Sequence, residues 1–519
     1  MQSYDLTVDK FLDHAAKWWG RREIVTAESG RIGYAALRAR ANRLSGALAA
    51  LGLGFGNAVA TLAWNTQQHL EVYYGLMGAG MVCHTLNPRL TVAHLAAMVN
   101  QAQDRVLAVS ADLSDLAGQL VAHCPSIEIV VLLGGDQAAP PSVGNRRTFA
   151  YETLLAELGK PTSWGGFDEQ TPAGLCYTSG TTGAPKGVLY THRSNYLHTL
   201  RALQADAIAL TPADCVLVAV PMFHANGWGL PFAAPAVGAK LVLPGRQTDG
   251  AHLAKLIRDE GVTVAAGVQT VWLGLLDYLD AEGGDVPTLE RILIGGSTCP
   301  DALIHRMEDR LRARVQTSWG MTELSPLGTV APARANGPAV ASGRPPLGLD
   351  LKLTDASGKT LPHQRNVTGH LKAKGASVVD RYFKADKDAL DEEGYFDTGD
   401  LANIDDEGNL SIAGRTKDLI KSGGEWINPA EIESIVGRLP GVGQVAVIGQ
   451  ADPKWGERPV LVVEPRKSHR LDEKTLLDSL RGNVADWWIP DQVIQVDHMP
   501  LAPTGKIDKN RLRADYAAT

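Results

Sequence analysis

The middle of the chain alternates short apolar runs with amphipathic stretches. Residues 215–220, 240–243, 262–265 and 291–294 read as buried strands. Between them lie helical patterns such as residues 251–260. Over residues 300–314, Leu303, Met307 and Leu311 recur at i, i+4 and i+8, which buries one helix face. Strands alternating with helices predict parallel sheets covered by helices. Ligands in such folds collect at the carboxyl ends of strands.

From about Gly343 the pattern changes. Strands shorten, and turn signals crowd in at residues 355–358 and 405–408. A small β-rich subdomain is predicted for about residues 343–416, closing a large N-terminal domain of residues 1–416. Residues 417–519 then read as a small α+β C-terminal domain. Its elements are a glycine turn, a helix (429–438), strands (444–448 and 460–463), a helix near 472–486 and a last strand. The fold class is therefore α/β, with a smaller α+β domain at the end. Residues 216–239 carry no Asp, Glu, Lys or Arg. Pro221, Pro231 and Pro235 break this stretch, so strand, loop and pocket wall are expected there rather than a membrane helix.

At 519 residues the chain exceeds one compact domain and suits about three units. Its net charge of -7 offers no basic surface, so nucleic acid is not an expected partner. Five cysteines (Cys83, Cys124, Cys176, Cys215 and Cys299) are scattered without a Cys-x-x-Cys spacing. Neither a disulfide framework nor a zinc site is indicated. That fits a reducing cytoplasm. The first ten residues carry two aspartates and no apolar core, unlike a signal peptide.

The most informative segment is Tyr177-Thr178-Ser179-Gly180-Thr181-Thr182-Gly183-Ala184-Pro185-Lys186-Gly187. Glycines let backbone N–H groups approach a polyphosphate, hydroxyls donate, and lysine supplies charge. The string is neither a Walker A loop nor a dinucleotide fingerprint. It closely resembles the phosphate loop of the acyl-adenylate-forming enzymes, which include acyl-CoA ligases, luciferases and peptide-synthetase adenylation domains. A carboxylate is a poor electrophile, and a mixed anhydride with AMP makes it reactive toward a thiol. The resemblance implies ATP, Mg²⁺ and coenzyme A as cofactors.

The resemblance also implies roles for particular residues. Lys186 and the amides of residues 179–183 would hold the β- and γ-phosphates, and Thr178 would help hold the metal. Ser318-Trp319-Gly320-Met321-Thr322-Glu323 is similar to the family's aromatic-Gly-x-Thr-Glu motif. Thr322 would donate to the α-phosphate and Glu323 would bind Mg²⁺. Trp319 stands where the family usually has tyrosine, and its face could stack on adenine. Gly295-Gly296-Ser297 would border adenine and the acyl pocket. Asp400, in Thr398-Gly399-Asp400, would accept from the ribose hydroxyls. Arg415 would also reach the ribose, and Lys417 occupies the hinge position before a mobile C-terminal domain. Lys421, Gly423, Gly424, Glu425 and Trp426 resemble the segment that swings in for thiol transfer. Lys506, in Pro503-Thr504-Gly505-Lys506, would bridge the substrate carboxylate and the α-phosphate.

Pro221-Met222-Phe223-His224 bears on the branch. Amino-acid-activating relatives tend to have aspartate where His224 stands, and no carrier domain follows Lys506. Both points favour an acyl-CoA synthetase. His224 and Trp228 resemble the catalytic histidine and tunnel gate of fatty-acid ligases, and Trp487-Trp488-Ile489-Pro490 resembles medium-chain and methylthioalkanoate ligases. A medium-chain fatty acid is the leading substrate. Aryl acids of the cinnamate or ferulate type and 3-methylthiopropionate stay open, because apolar pockets discriminate weakly between similar sizes. A luciferase-like oxygenase and a catalytically silent nucleotide- or acyl-binding protein are the readings from other classes. The intact Lys186, Glu323 and Lys506 argue against the silent one. A homodimer is implied by the resemblance to fatty-acid ligases.

Overall fold

The computed structural model describes the chain except residues 28, 136–141, 179–184, 297–298, 334–340, 424, 467–468, 503–505 and 518–519, and the side chain of Asn226. Two large sheets dominate the N-terminal part. One has eight strands, with Arg314–Gly320, Arg291–Gly295, Val264–Val268, Cys215–Val218, Lys240–Leu243 and Glu23–Thr26 running parallel across its centre. The other has seven strands, and its last pair, Pro172–Thr178 and Lys186–Thr191, is antiparallel.

The apolar runs are continuous because these strands are buried on both faces. Along Cys215–Val218, Val216 and Val218 enter the core between the sheets, whereas Cys215 and Leu217 enter a second core on the other face. Along Val106–Ser110, Val106 and Ala108 face the shared core and Leu107 and Val109 a third one. Successive side chains of a strand point to opposite faces, which produces this partition. Tyr73, Tyr74 and Phe232 are fully buried in the shared core. It locks the two large sheets into one body.

The predicted elements of the centre are present with small shifts. Residues 262–265 were expected as a strand, which runs over Val264–Val268; the helix over 300–314 is confined to Asp301–Leu311. The uncharged stretch forms a strand, a short 3₁₀ turn (Ala225–Gly229) and the helix Leu230–Val237. Pro231 is tolerated in that helix's first turn, where its missing N–H has no partner to lose. No helix among the described residues is long and apolar enough to cross a membrane.

The β-rich part is a four-stranded antiparallel meander, Leu349–Thr354, Thr368–Gly375, Phe396–Ile404 and Leu410–Arg415. The C-terminal part is a five-stranded sheet carrying the helices Pro429–Val436 and Lys509–Tyr516. A helix near 472–486 was expected, but only Glu473–Asp478 is α-helical. The helix stops at Asp478 and the chain turns through residues 479–483, where Gly482 takes the left-handed conformation with φ 76°, so the apolar residues beyond it do not continue the helix.

Candidate active site

Four strands of the N-terminal part end close together. Thr178 closes Pro172–Thr178, Gly295 closes Arg291–Gly295, Gly320 closes Arg314–Gly320, and the turn bearing His224 follows Cys215–Val218. Carboxyl strand ends are where open α/β sheets bind ligands. Thr178 and Lys186 pair directly in register at the ends of the antiparallel strands Pro172–Thr178 and Lys186–Thr191. Ser179, Gly180, Thr181, Thr182 and Gly183 lie outside the described residues, as do Ser297 and Gly424.

Thr322 and Glu323 form a short 3₁₀ turn, both nearly buried. Backbone carbonyls fix the turn from several sides. Tyr190 donates its hydroxyl to the Thr322 carbonyl at 2.8 Å, and the Val379 amide donates to that of Glu323 at 2.8 Å. Arg201, 3% exposed, donates to the carbonyls of Leu324 and Leu327. Burial pushes its guanidinium down to about 10. The Glu323 carboxylate accepts from the Tyr382 hydroxyl at 2.8 Å. The Lys186 ammonium lies 4.9 Å from the centre of the same tyrosine ring. Tyr382 thus joins the strand Lys186–Thr191 to the acidic turn. Nothing in its local sequence, Arg381-Tyr382-Phe383, marked it as a site residue; only the chain crossing reveals it.

Asp400 and Arg415 are cross-strand partners in the meander, and Arg415 Nε meets Asp400 Oδ1 at 2.7 Å. Trp319 Nε1 donates to Asp400 Oδ2 at 2.9 Å. Burial raises the Asp400 carboxyl, against which Arg415, Trp319 and Lys506 favour the charged form. Trp319 itself is 8% exposed and lies on Gly328. Adenine stacking is the expectation for this ring, and its indole N–H also holds Asp400.

Lys506 arrives from the C-terminal part. A Cβ placed on Gly296 would come 3.4 Å from Lys506 Cε, so the lysine stem lies beside this glycine. Burial, then the charge of Arg415, lowers the Lys506 ammonium to about 8. Burial, with Lys506 adding to it, pushes His224 down to about 4, so the imidazole is neutral at ordinary pH. Phe223 packs edge-on against Trp64. Trp228 has φ 57° between Gly227 and Gly229, and its Cη2 lies 3.2 Å from where a Gly295 Cβ would be. A Cβ on Gly295 would also come 2.6 Å from Ser318 Oγ. Trp228, Gly295 and Ser318 therefore belong to one wall, and His224 stands four residues before Trp228, within electrostatic reach of Lys506.

Lys417 is exposed, partial desolvation lowers its ammonium, and its neighbour Asp418 pairs with Arg513 at 2.6 Å. Lys421, Gly423, Glu425 and Trp426 lie on a hairpin in which Lys421 pairs with Trp426. Trp455 packs on Gly423, and Trp426 is 53% exposed. Among the described residues this hairpin makes no hydrogen bond or ion pair with Lys186, Glu323, Asp400 or Lys506.

Converging strand ends, a buried acid and a lysine brought in from the C-terminal part are what an adenylate-forming enzyme would need. Residues 11–383 match the AMP-binding enzyme family and residues 431–506 its C-terminal domain, and the chain belongs to this family. It is 40% identical to a medium-chain-fatty-acid–CoA ligase of Ectopseudomonas oleovorans, over 99% of this chain and 97% of that one. It is also 40% identical to a 3-methylmercaptopropionyl-CoA ligase of Ruegeria lacuscaerulensis, over 99% and 98% of the two chains. The crystal structure of ATP-bound MatB from Rhodopseudomonas palustris superposes with a TM-score of 0.87 at 27% identity, covering 99% of each chain. The protein is an AMP-forming acid–CoA ligase that uses ATP and CoA.

Proposed function

We propose that the acid is a medium-chain fatty acid, activated to acyl-AMP with release of pyrophosphate and then transferred to CoA. The observation that carries the adenylation chemistry is the placement of Lys506 against Gly296, within electrostatic reach of His224 and Asp400. A buried positive charge aimed at the meeting point of carboxylate and α-phosphate stabilises charge that grows in the transition state. In this reading Lys186 and the amides of residues 179–183 hold the departing phosphates, and Thr322 donates to the α-phosphate. Asp400 and Arg415 take the ribose. His224, being neutral, sits beside the acid without competing for its charge.

Magnesium fits the same reading. It usually takes one or two carboxylates and completes its shell with substrate phosphates and water. Glu323 is one nearly buried carboxylate, and no group of three or more acidic, histidine or cysteine ligands occurs among the described residues. Glu323, with Thr178, would hold the ion, which supplies charge neutralisation to the triphosphate.

Within the acyl wall the contact of Trp228 with Gly295 is apolar and suits an alkyl chain. The methylmercaptopropionate relative at equal identity supports a short thioether acid as the second reading. For the later step, Lys417 is the hinge, and the Lys421–Trp426 hairpin swings to the site to admit CoA. The domains divide at residues 416 and 417. A cytoplasmic homodimer completes the proposal, and light scattering tests the dimer.

A panel of straight-chain, thioether and aryl acids with ATP and CoA, followed by AMP release, tests the assignment. Highest kcat/KM on acids of about six to ten carbons supports it; preference for cinnamates or methylthiopropionate rejects the substrate. Light emission or oxygen uptake without a CoA ester would instead identify a luciferase-like oxygenase.

A further inference from the structure

Asn65 stands outside every motif of the reaction, yet it is 4% exposed and fully engaged. It follows the strand Ala58–Leu62 of the seven-stranded sheet. Its Nδ2 donates to the carbonyls of Val218 and Val220, both at 2.8 Å. Its Oδ1 accepts from the Met222 amide at 2.7 Å. Those three groups belong to the end of the strand Cys215–Val218 in the other large sheet and the bend that follows it. Beyond Val218 the amides of Ala219 and Val220 still donate to Ala266 of the neighbouring strand, whereas the carbonyls of Val218 and Val220 and the amide of Met222 find their partner in Asn65. The Tyr73 hydroxyl, from the helix Gln67–Gly78, binds the carbonyl of Met222 and completes the tie. Phe223 and His224 come next in the chain.

We propose that Asn65, with Tyr73, is a positioning residue for acid binding: it fixes the 218–222 bend that places Phe223 and His224 on the wall of the acyl pocket. The inference rests on the reading of that wall as the acyl pocket. An amide is the side chain the geometry requires. It donates twice and accepts once with a single planar group, whereas a carboxylate of the same shape would face two carbonyls with no donor. A misplaced pocket wall raises the cost of holding the acid in a reactive pose, and small displacements weigh heavily there. ATP and CoA make their contacts elsewhere and feel it less.

The test compares Asn65→Asp, Asn65→Ala and Tyr73→Phe in the full-length enzyme, using octanoate as the probe acid. KM for octanoate should rise by about tenfold in Asn65→Asp, with KM for ATP and CoA within about twofold of the parent. The preference among acids of different length should flatten. Because both residues hold one bend, Asn65→Ala with Tyr73→Phe should lose less than the sum of the two single losses. Thermal melting identifies variants that fail to fold, and Tyr73→Phe, the mildest change, then carries the comparison. A folded set with an unaltered acid profile, or with equal rises in all three KM values, overturns the proposal. Trp228→Ala separates the two levels. If it too leaves the acid profile unchanged, the pocket reading fails; if it shifts the profile while the Asn65 and Tyr73 variants do not, only the positioning role fails.

Discussion

The hydroxyl of Tyr382 donates to the Glu323 carboxylate at 2.8 Å while its ring lies 4.9 Å from the Lys186 ammonium. One side chain from the segment between the strands Thr368–Gly375 and Phe396–Ile404 thus touches both a buried anion and the Lys186 cation. The Phe383 amide reinforces the arrangement by donating to the Gly187 carbonyl at 2.8 Å.

Tyr382→Phe keeps the ring under Lys186 and removes only the hydroxyl. A hydrogen bond to a charged group is worth about 1.5–3 kcal/mol. The magnesium concentration for half-maximal pyrophosphate exchange should rise by about tenfold or more, with octanoate KM little changed. An unaltered magnesium dependence would show that Glu323 is oriented by other contacts.

Lys506 carries its charge below about pH 8 and loses it above. The adenylation rate should therefore fall as pH rises through about 8, while thioester formation from supplied acyl-AMP does not follow the same limb. Lys506→Ala should lose most adenylation and keep the second half-reaction; equal loss of both would remove the assigned role. Stability should move the other way. The folded lysine releases its proton near 8 and the unfolded one near 10.5, so the unfolded state binds more protons between them. Stability from this group rises with pH in that window. Chemical denaturation of the parent and Lys506→Met at pH 7.5 and 9.5 checks the sign.

Gly328 gives Trp319 its space. A Cβ there would lie 2.3 Å from Trp319 Cε3, so Gly328→Ala must push the ring from Asp400. Overpacking of this kind costs about 1–3 kcal/mol. The melting temperature should drop and KM for ATP should rise. Adding Trp319→Tyr should restore most of the melting temperature, because the smaller ring vacates the contested volume.

Gly295→Ala should reshape the acyl wall. The new methyl would press on Ser318 Oγ and on Trp228. Activity on octanoate should fall by about tenfold or more relative to butyrate, since a methyl's worth of misfit weighs on the longer chain. Adding Ser318→Ala removes the nearest clash and should recover part of the loss. A uniform loss on both acids would place the strain away from the acyl wall.

Much of the molecule was legible in its residues. The apolar runs at 240–243 and 291–294 located strands to within a residue, because strands buried on both faces must be continuously apolar. The turn-rich stretch after Gly343 announced the antiparallel meander. The loop at 177–187, the Thr322-Glu323 pair, Asp400 and Lys506 were marked by local strings, since holding phosphate and ribose needs particular atoms at short spacing. The helix expected over 472–486 was overextended, because apolar spacing does not register the turn through residues 479–483.

What the sequence by itself determined was therefore the element order and the family, and it marked the candidate groups for the chemistry. What only the tertiary structure decided was how those groups are held. Tyr382 is 59 residues from Glu323, and Asn65 is 153 residues from Val218. Asp400 meets Trp319 across 81 residues. Such partners carry no periodicity and no fixed spacing, because a hydrogen bond between distant segments depends on where two folded surfaces meet. The burial that lowers Lys506 and His224 arises in the same way, from enclosure by chain remote in sequence.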